Sequence, residues 1–187
     1  TGTRAALAGG VTTVGNMSFH RRGEQMLDGL ERDLADAKAN SLADYFMHPV
    51  LLEPDEVGLA QIVEAAESGH PSIKIFLSFK RFDRNVDRFL KAMRVAAAAG
   101  VVVAIHCEDA AIMGCCGEML AEQGLTEHRH YPETRPVEAE RIATERAIGF
   151  CEISGAPTYI VHLSSQAALD ACRRGRSRNL PLYVETR

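Results

Sequence analysis

Gly100-Val-Val-Val-Ala-Ile-His-Cys-Glu-Asp109 is a short apolar run opened by a glycine and closed by a histidine and two carboxylates. Its valines and isoleucine are β-branched, which favours a strand. The run does not alternate apolar with polar, so both faces of this strand are expected to be covered, as in a parallel sheet flanked by helices. Immediately upstream, the amphipathic stretch Asn85–Ala99 stops at Gly100. A helix stop followed directly by a strand is the joint of a βαβ unit.

The same grammar extends in both directions. Further strands are predicted at Val11–Val14, Tyr45–Leu52, Ile73–Ser78, Thr158–Leu163 and Leu182–Glu185, beside the central one at Val101–His106. Helices are predicted at Thr3–Ala8, Glu24–Asn40, Asp55–Ser68, Val137–Ser154 and Ser165–Arg174. Ser154-Gly-Ala-Pro157 repeats the helix-stop signal just before a strand. One stretch stands apart: Asp109–Pro136 reads as a long connection carrying His128, His130 and Tyr131, of the kind that contributes to a site mouth or to assembly. No repeat or linker divides the chain, so residues 1–187 are read as one α/β domain. An open doubly wound sheet and an eight-stranded barrel both fit this order. Gly9-Gly10 precedes a strand rather than following one, which removes the phosphate-loop signature of a nucleotide fold. A barrel needs eight βα units and typically ~250 residues, whereas six strands are visible here. The sheet is therefore either open or part of a barrel.

Composition narrows the partners. Of 187 residues, 46% are hydrophobic and 25% charged, with a net charge of −4, which is ordinary for a chain that folds around a core. The basic residues are interspersed with acidic ones; even the run Arg173, Arg174, Arg176, Arg178 reads as a solvated helix end, so no nucleic-acid surface is expected. No apolar run reaches the ~18–20 residues of a membrane span. Five cysteines, odd in number and irregular in spacing, imply reduced thiols and a cytoplasmic setting rather than a disulfide framework.

Candidate chemistry sits at strand ends. Lys74 lies within Ser72-Ile-Lys-Ile-Phe-Leu-Ser-Phe79. A lysine in such a run must be paired, neutralised or covalently modified, or else must carry its ammonium out to water along its stem. His106 and His162 close two further apolar runs. Two imidazoles at equivalent places on parallel strands, with a lysine on a third, point to a divalent-metal site. Glu108 or Asp109 is placed to orient one of those ligands. His48, followed by Pro49, reads as structural; His128 and His130 read as solvent-facing; His20 and His70 have no evident partner. No Gly-x-Ser-x-Gly elbow is present.

Four stretches in order, Ser72-Ile-Lys-Ile-Phe76, Val103-Ala-Ile-His-Cys-Glu108, Arg135-Pro-Val-Glu-Ala-Glu140 and Ala156-Pro-Thr-Tyr-Ile-Val-His-Leu-Ser-Ser165, resemble the cyclic amidohydrolases of the dihydropyrimidinase and hydantoinase branch. The likeness runs from Gly2 to Thr186. It implies a (β/α)8 TIM-barrel metal-dependent hydrolase, with strands two to seven of eight in this chain. It also implies two divalent metal ions, usually zinc, and a CO2-derived carbamate on Lys74 that bridges them, with His106 and His162 as further metal ligands. The implied activity is hydrolysis of a cyclic amide C–N bond in a dihydropyrimidine, hydantoin or related ring by a metal-bound hydroxide. The family's first-strand His-x-His and last-strand aspartate have no match, so no catalytic residue is assigned and the chain alone is expected to be inactive. Phe79 stands at a substrate position where many relatives carry a tyrosine. Relatives commonly form homo-oligomers. The branch also includes non-catalytic scaffold proteins, and an inactive fragment is the other alternative.

Overall fold

In a computed structural model that describes residues 2–186, six strands alternate with helices: β1 (Thr13–Ser18), β2 (Asp44–Pro49), β3 (Ser72–Phe76), β4 (Val102–His106), β5 (Thr158–Ile160) and β6 (Leu182–Val184). The helices are α1 (Gly2–Ala8), α2 (Met26–Asn40), α3 (Glu56–Glu67), α4 (Lys80–Arg84), α5 (Val86–Ala98), α6 (Ala110–Glu122), α7 (Val137–Ser154) and α8 (Gln166–Arg176). All strand pairings are parallel, with β1 on β2 and the order β3-β4-β5-β6. A bridge between Val50 and Lys74 ties the two groups, and the Leu51 N–H donates to the Lys74 carbonyl at 2.9 Å.

Strand order follows chain order without reversal. A doubly wound sheet reverses its order at a switch point, so that alternative is dropped. The described strands form an open α/β array: β1 and β6 are the outer strands and do not pair with each other.

One face of the sheet is the core. Ile73, Ile75, Val103, Ile105, Ile160 and Leu182 pack under Phe82, Phe89, Met93, Ala147, Ile148 and Ala171 of the helices. Because strand side chains alternate, the opposite face carries Lys74, Phe76, Ala104, His106, Tyr159 and Tyr183. Registers Lys74↔Ala104, Phe76↔His106 and Tyr159↔Tyr183 set these residues side by side. A groove on this face is lined by Phe46, His48, Ser72, Val102, Tyr159 and Tyr183.

Three expectations are corrected. The long connection is not irregular: Asp109 caps α6, its Oδ1 accepting from the Ala111 and Ile112 N–H groups at 3.0 Å, and a 3-10 segment follows at His128–Thr134. This helix escaped the pattern reading because only Ala110 of its residues is buried and two glycines interrupt it. The first strand lies at Thr13–Ser18, not Val11–Val14, its polar Thr13 and Asn16 breaking any apolar run. The fifth strand stops at Ile160, two residues short of His162, whose φ of 44° cannot continue an extended chain.

Candidate metal centre

His106 is the last residue of β4, and His162 follows β5 on the neighbouring strand. Their rings meet edge to face, with centroids 4.6 Å apart and 68° between planes. Nδ1 of His106 faces Nε2 of His162 at 2.9 Å. Two ring nitrogens at this separation either share a hydrogen, one ring donating its N–H to the other's lone pair, or both direct lone pairs at a bound cation. The other nitrogen of His106, Nε2, lies 2.7 Å from Oε2 of Glu108. That hydrogen bond, with help from Arg135, holds the Glu108 carboxyl well below its usual range, at about 2.

His162 takes its position from its backbone. A non-glycine residue in the left-handed region must be held there by its surroundings. Glu185 Oε1 accepts from the His162 N–H at 3.3 Å, Ser164 Oγ donates to the His162 carbonyl at 3.0 Å, and the Ser164 N–H donates to Glu140 Oε1 at 2.7 Å. Glu140 and Glu185 therefore fix the turn that carries this imidazole. Neither stands out by spacing in the sequence, because each acts across a distance of about two dozen residues.

Lys74 is 1% exposed, and its Nζ has no hydrogen-bond partner. Burial lowers its pKa to about 8. Its Nζ lies 4.8 Å over the Phe76 ring, which in turn sits 5.4 Å from the His106 ring. The stem does not carry the amine to water, so the solvent-seeking alternative is set aside. Phe79, at the start of α4, stacks on Phe76 with centroids 4.7 Å apart. His106, Glu108, Arg135, Glu140, His162 and Ser164 line one cavity of about 560 Å3.

The other candidates serve elsewhere. Asp109 caps α6, leaving Glu108 as the carboxylate on His106. His48 Nδ1 pairs with Ser72 Oγ at 2.8 Å, and His130 Nδ1 with Glu133 Oε1 at 2.8 Å. The His20 Nδ1 atom is buried without a partner.

Along its whole length the chain is 38% identical, over 189 residues, to a D-phenylhydantoinase of Escherichia coli O9:H4 (strain HS), covering 41% of that protein. It is 32% identical over 187 residues to a D-hydantoinase of Streptomyces coelicolor, again over the whole chain and 40% of the relative. Among solved structures, the D-hydantoinase (dihydropyrimidinase) from Thermus sp. superposes with a TM-score of 0.92 at 35% identity, over 99% of this chain and 41% of that one. Over its whole length the chain is a homologue of hydantoinases. No family model matches it. The chain spans about two fifths of the length of its hydantoinase relatives. An L-hydantoinase (dihydropyrimidinase) from Arthrobacter aurescens, with a TM-score of 0.87 at 19% identity, shares the fold.

No three His, Cys, Asp or Glu side chains among the described residues gather into a metal-binding group. What the chain offers is a facing pair of imidazole nitrogens together with a buried amine that lacks a partner. Imidazole nitrogens are donors that suit a divalent ion such as zinc. No described helix is long and apolar enough to cross a membrane.

Proposed function

We propose that the chain supplies strands two to seven of an eight-stranded hydantoinase barrel and one half of a two-metal centre that hydrolyses a cyclic amide C–N bond. The observation that carries this reading is the Nδ1–Nε2 pair of His106 and His162 at 2.9 Å, in a chain that aligns along its whole length with about two fifths of a hydantoinase. Divalent cations, with zinc well suited to imidazole and oxygen donors, would act as Lewis acids on the ring carbonyl and provide the nucleophile.

The chain's own residues prepare that chemistry. With a pKa lowered to about 8, Lys74 carries a neutral fraction far larger than a free lysine at neutral pH. Its nitrogen lone pair attacks CO2, an N–C bond forms, one N–H proton leaves to solvent, and a buried amine becomes a carbamate anion with two oxygens. His106 and His162 present one lone pair each. Phe76 and Phe79 form an apolar wall beside them, against which a ring substrate lies and from which water is displaced. Phe79 has no donor for an oxyanion, so that stabilisation must come from another group.

A hydantoin, a dihydropyrimidine or a related ring is the proposed substrate class, and a homo-oligomer the proposed assembly. The test is an assay of the polypeptide that carries these residues, loaded with Zn2+ in bicarbonate, on hydantoin, dihydrouracil and allantoin. Its coding sequence is expected to supply a His-x-His and an aspartate on flanking strands, and ring opening on at least one substrate is expected. A folded, metal-loaded polypeptide inert on all three would overturn the proposal. The 187 residues alone are expected to hold at most one metal ion tightly and to open none of these rings measurably.

A further inference from the structure

We propose that Glu108 and Arg135 form a clamp that fixes His106 in the tautomer with its proton on Nε2, so that the Nδ1 lone pair is presented toward His162. This inference rests on the metal-centre reading above and names two positioning residues for it.

The placement begins with the chain. Glu108 lies two residues beyond His106, and residues two apart on an extended chain share a face. Its carboxylate reaches back to the imidazole: Nε2 of His106 donates to Oε2 at 2.7 Å. An ionised carboxylate offers only acceptors, so Nε2 carries the proton, and in the neutral ring Nδ1 then carries the lone pair. The opposite tautomer would set an imidazole lone pair against a carboxylate oxygen. The Glu108 side chain is 19% exposed, and a carboxylate this withdrawn from water needs a compensating cation.

Arg135 supplies that cation from the far end of the α6 excursion. Its Nη1 donates to the same Oε2 of Glu108. The guanidinium is itself held in place: Nε donates to the Tyr131 hydroxyl at 2.8 Å, the Tyr131 ring lies 5.0 Å from its centre, and Nη1 meets Met113 Sδ at 3.1 Å. A lysine could provide charge but could not make the forked and stacked contacts together. The segment read in the sequence as a connection therefore returns one side chain to the site and locks the outer side of an imidazole. A purely structural ion pair fastening the 3-10 segment to the sheet would predict no effect on His106 itself.

The experiment uses the chain labelled with 15N-histidine, free of metal. Two-bond 1H–15N spectra report the tautomer of His106, assigned by difference against His106→Asn. Zn2+ affinity is read separately by competition with a chromophoric chelator. In the wild type, His106 is expected as the Nε2–H form. Glu108→Ala should give mixed tautomers and Zn2+ binding weakened ~10–100-fold. Glu108→Gln keeps an amide oxygen as acceptor and should retain the tautomer and bind within a few-fold of wild type. Arg135→Met, which leaves Glu108 in place, should broaden the His106 signals and weaken Zn2+ binding several-fold, and it carries the test if Glu108→Ala does not fold. An unchanged tautomer and unchanged affinity in Glu108→Ala, or in Arg135→Met if that variant stands in, would overturn the clamp. If the tautomer responds as expected while no variant, wild type included, binds Zn2+, the clamp stands and the metal-centre reading falls.

Discussion

Phe79 is stacked on Phe76, with ring centroids 4.7 Å apart and planes 14° from parallel, and Phe76 in turn leans on the imidazole of His106. The aromatic ring that starts α4 is thereby held beside the proposed reaction site with no polar atom to offer. In the polypeptide that carries the chain, Phe79→Tyr would add a hydroxyl at the ring edge. The expected outcome is a rise in kcat/KM on hydantoin and dihydrouracil of ~10-fold, short of the ~10²–10³ that an established oxyanion donor is worth. A fall in kcat/KM would show that the apolar edge itself serves the substrate.

Lys74 gives a prediction independent of any metal. Its folded pKa, about 8, lies below that of an exposed lysine, near 10.4. Between these values the unfolded chain holds more protons, so stability rises with pH across that window. Above it the neutral amine carries no charge penalty; below about 8 the penalty is complete, on the order of 3 kcal/mol. Lys74→Met should therefore be more stable than wild type at pH 7 in metal-free buffer depleted of CO2. The gap should shrink as pH climbs from 8 toward 10. Urea denaturation at several pH values measures this, and a variant less stable at pH 7 would contradict it.

The order of strands and helices, and the burial of Lys74 within an apolar strand, were legible because apolar runs and their polar interruptions are local signals. Val137–Ser154 appears with the bounds its pattern predicts, closed by Gly155 at a φ of 73°. What escaped is what depends on distant partners. Asp109 looked equivalent to Glu108 in sequence, yet Asp109 caps α6 while Glu108 grips His106. Arg135, Glu140 and Glu185 act across 23 to 27 residues, and no period relates them to the residues they hold. His162 read as a strand end because the apolar run continues through it, whereas its backbone turns away after Ile160.

Glu140 is expected to matter through that turn. Its Oε1 accepts from the Ser164 N–H, two residues past His162, while its Oε2 is buried with no partner. Glu140→Ala removes the acceptor of the exposed Ser164 amide and should cost ~0.5–1.5 kcal/mol of stability. It should also raise amide hydrogen exchange at His162 and Leu163 above that of β4. Exchange unchanged at these positions would contradict the assigned role.

The two outer strands also make a claim. β1 and β6 present unpaired edges, and Phe46 and Tyr183 are 46% and 54% exposed on the face that carries the groove. Edges and apolar patches of this kind pair with other chains. The 187-residue chain should show a mass that grows with concentration in light scattering, and Tyr183→Lys should reduce that growth. A monomer at every concentration would contradict it.

The central claim is that Lys74, His106 and His162 form one metal site, and equilibrium dialysis of the purified chain against Zn2+ in bicarbonate buffer, followed by elemental analysis, tests it most directly. One tightly held ion per chain is predicted, lost in His106→Ala and in His162→Ala. Omitting bicarbonate, or replacing Lys74 with Ala, should weaken binding markedly. No bound ion in the wild type, or an ion retained undiminished when both histidines are replaced, would contradict the account.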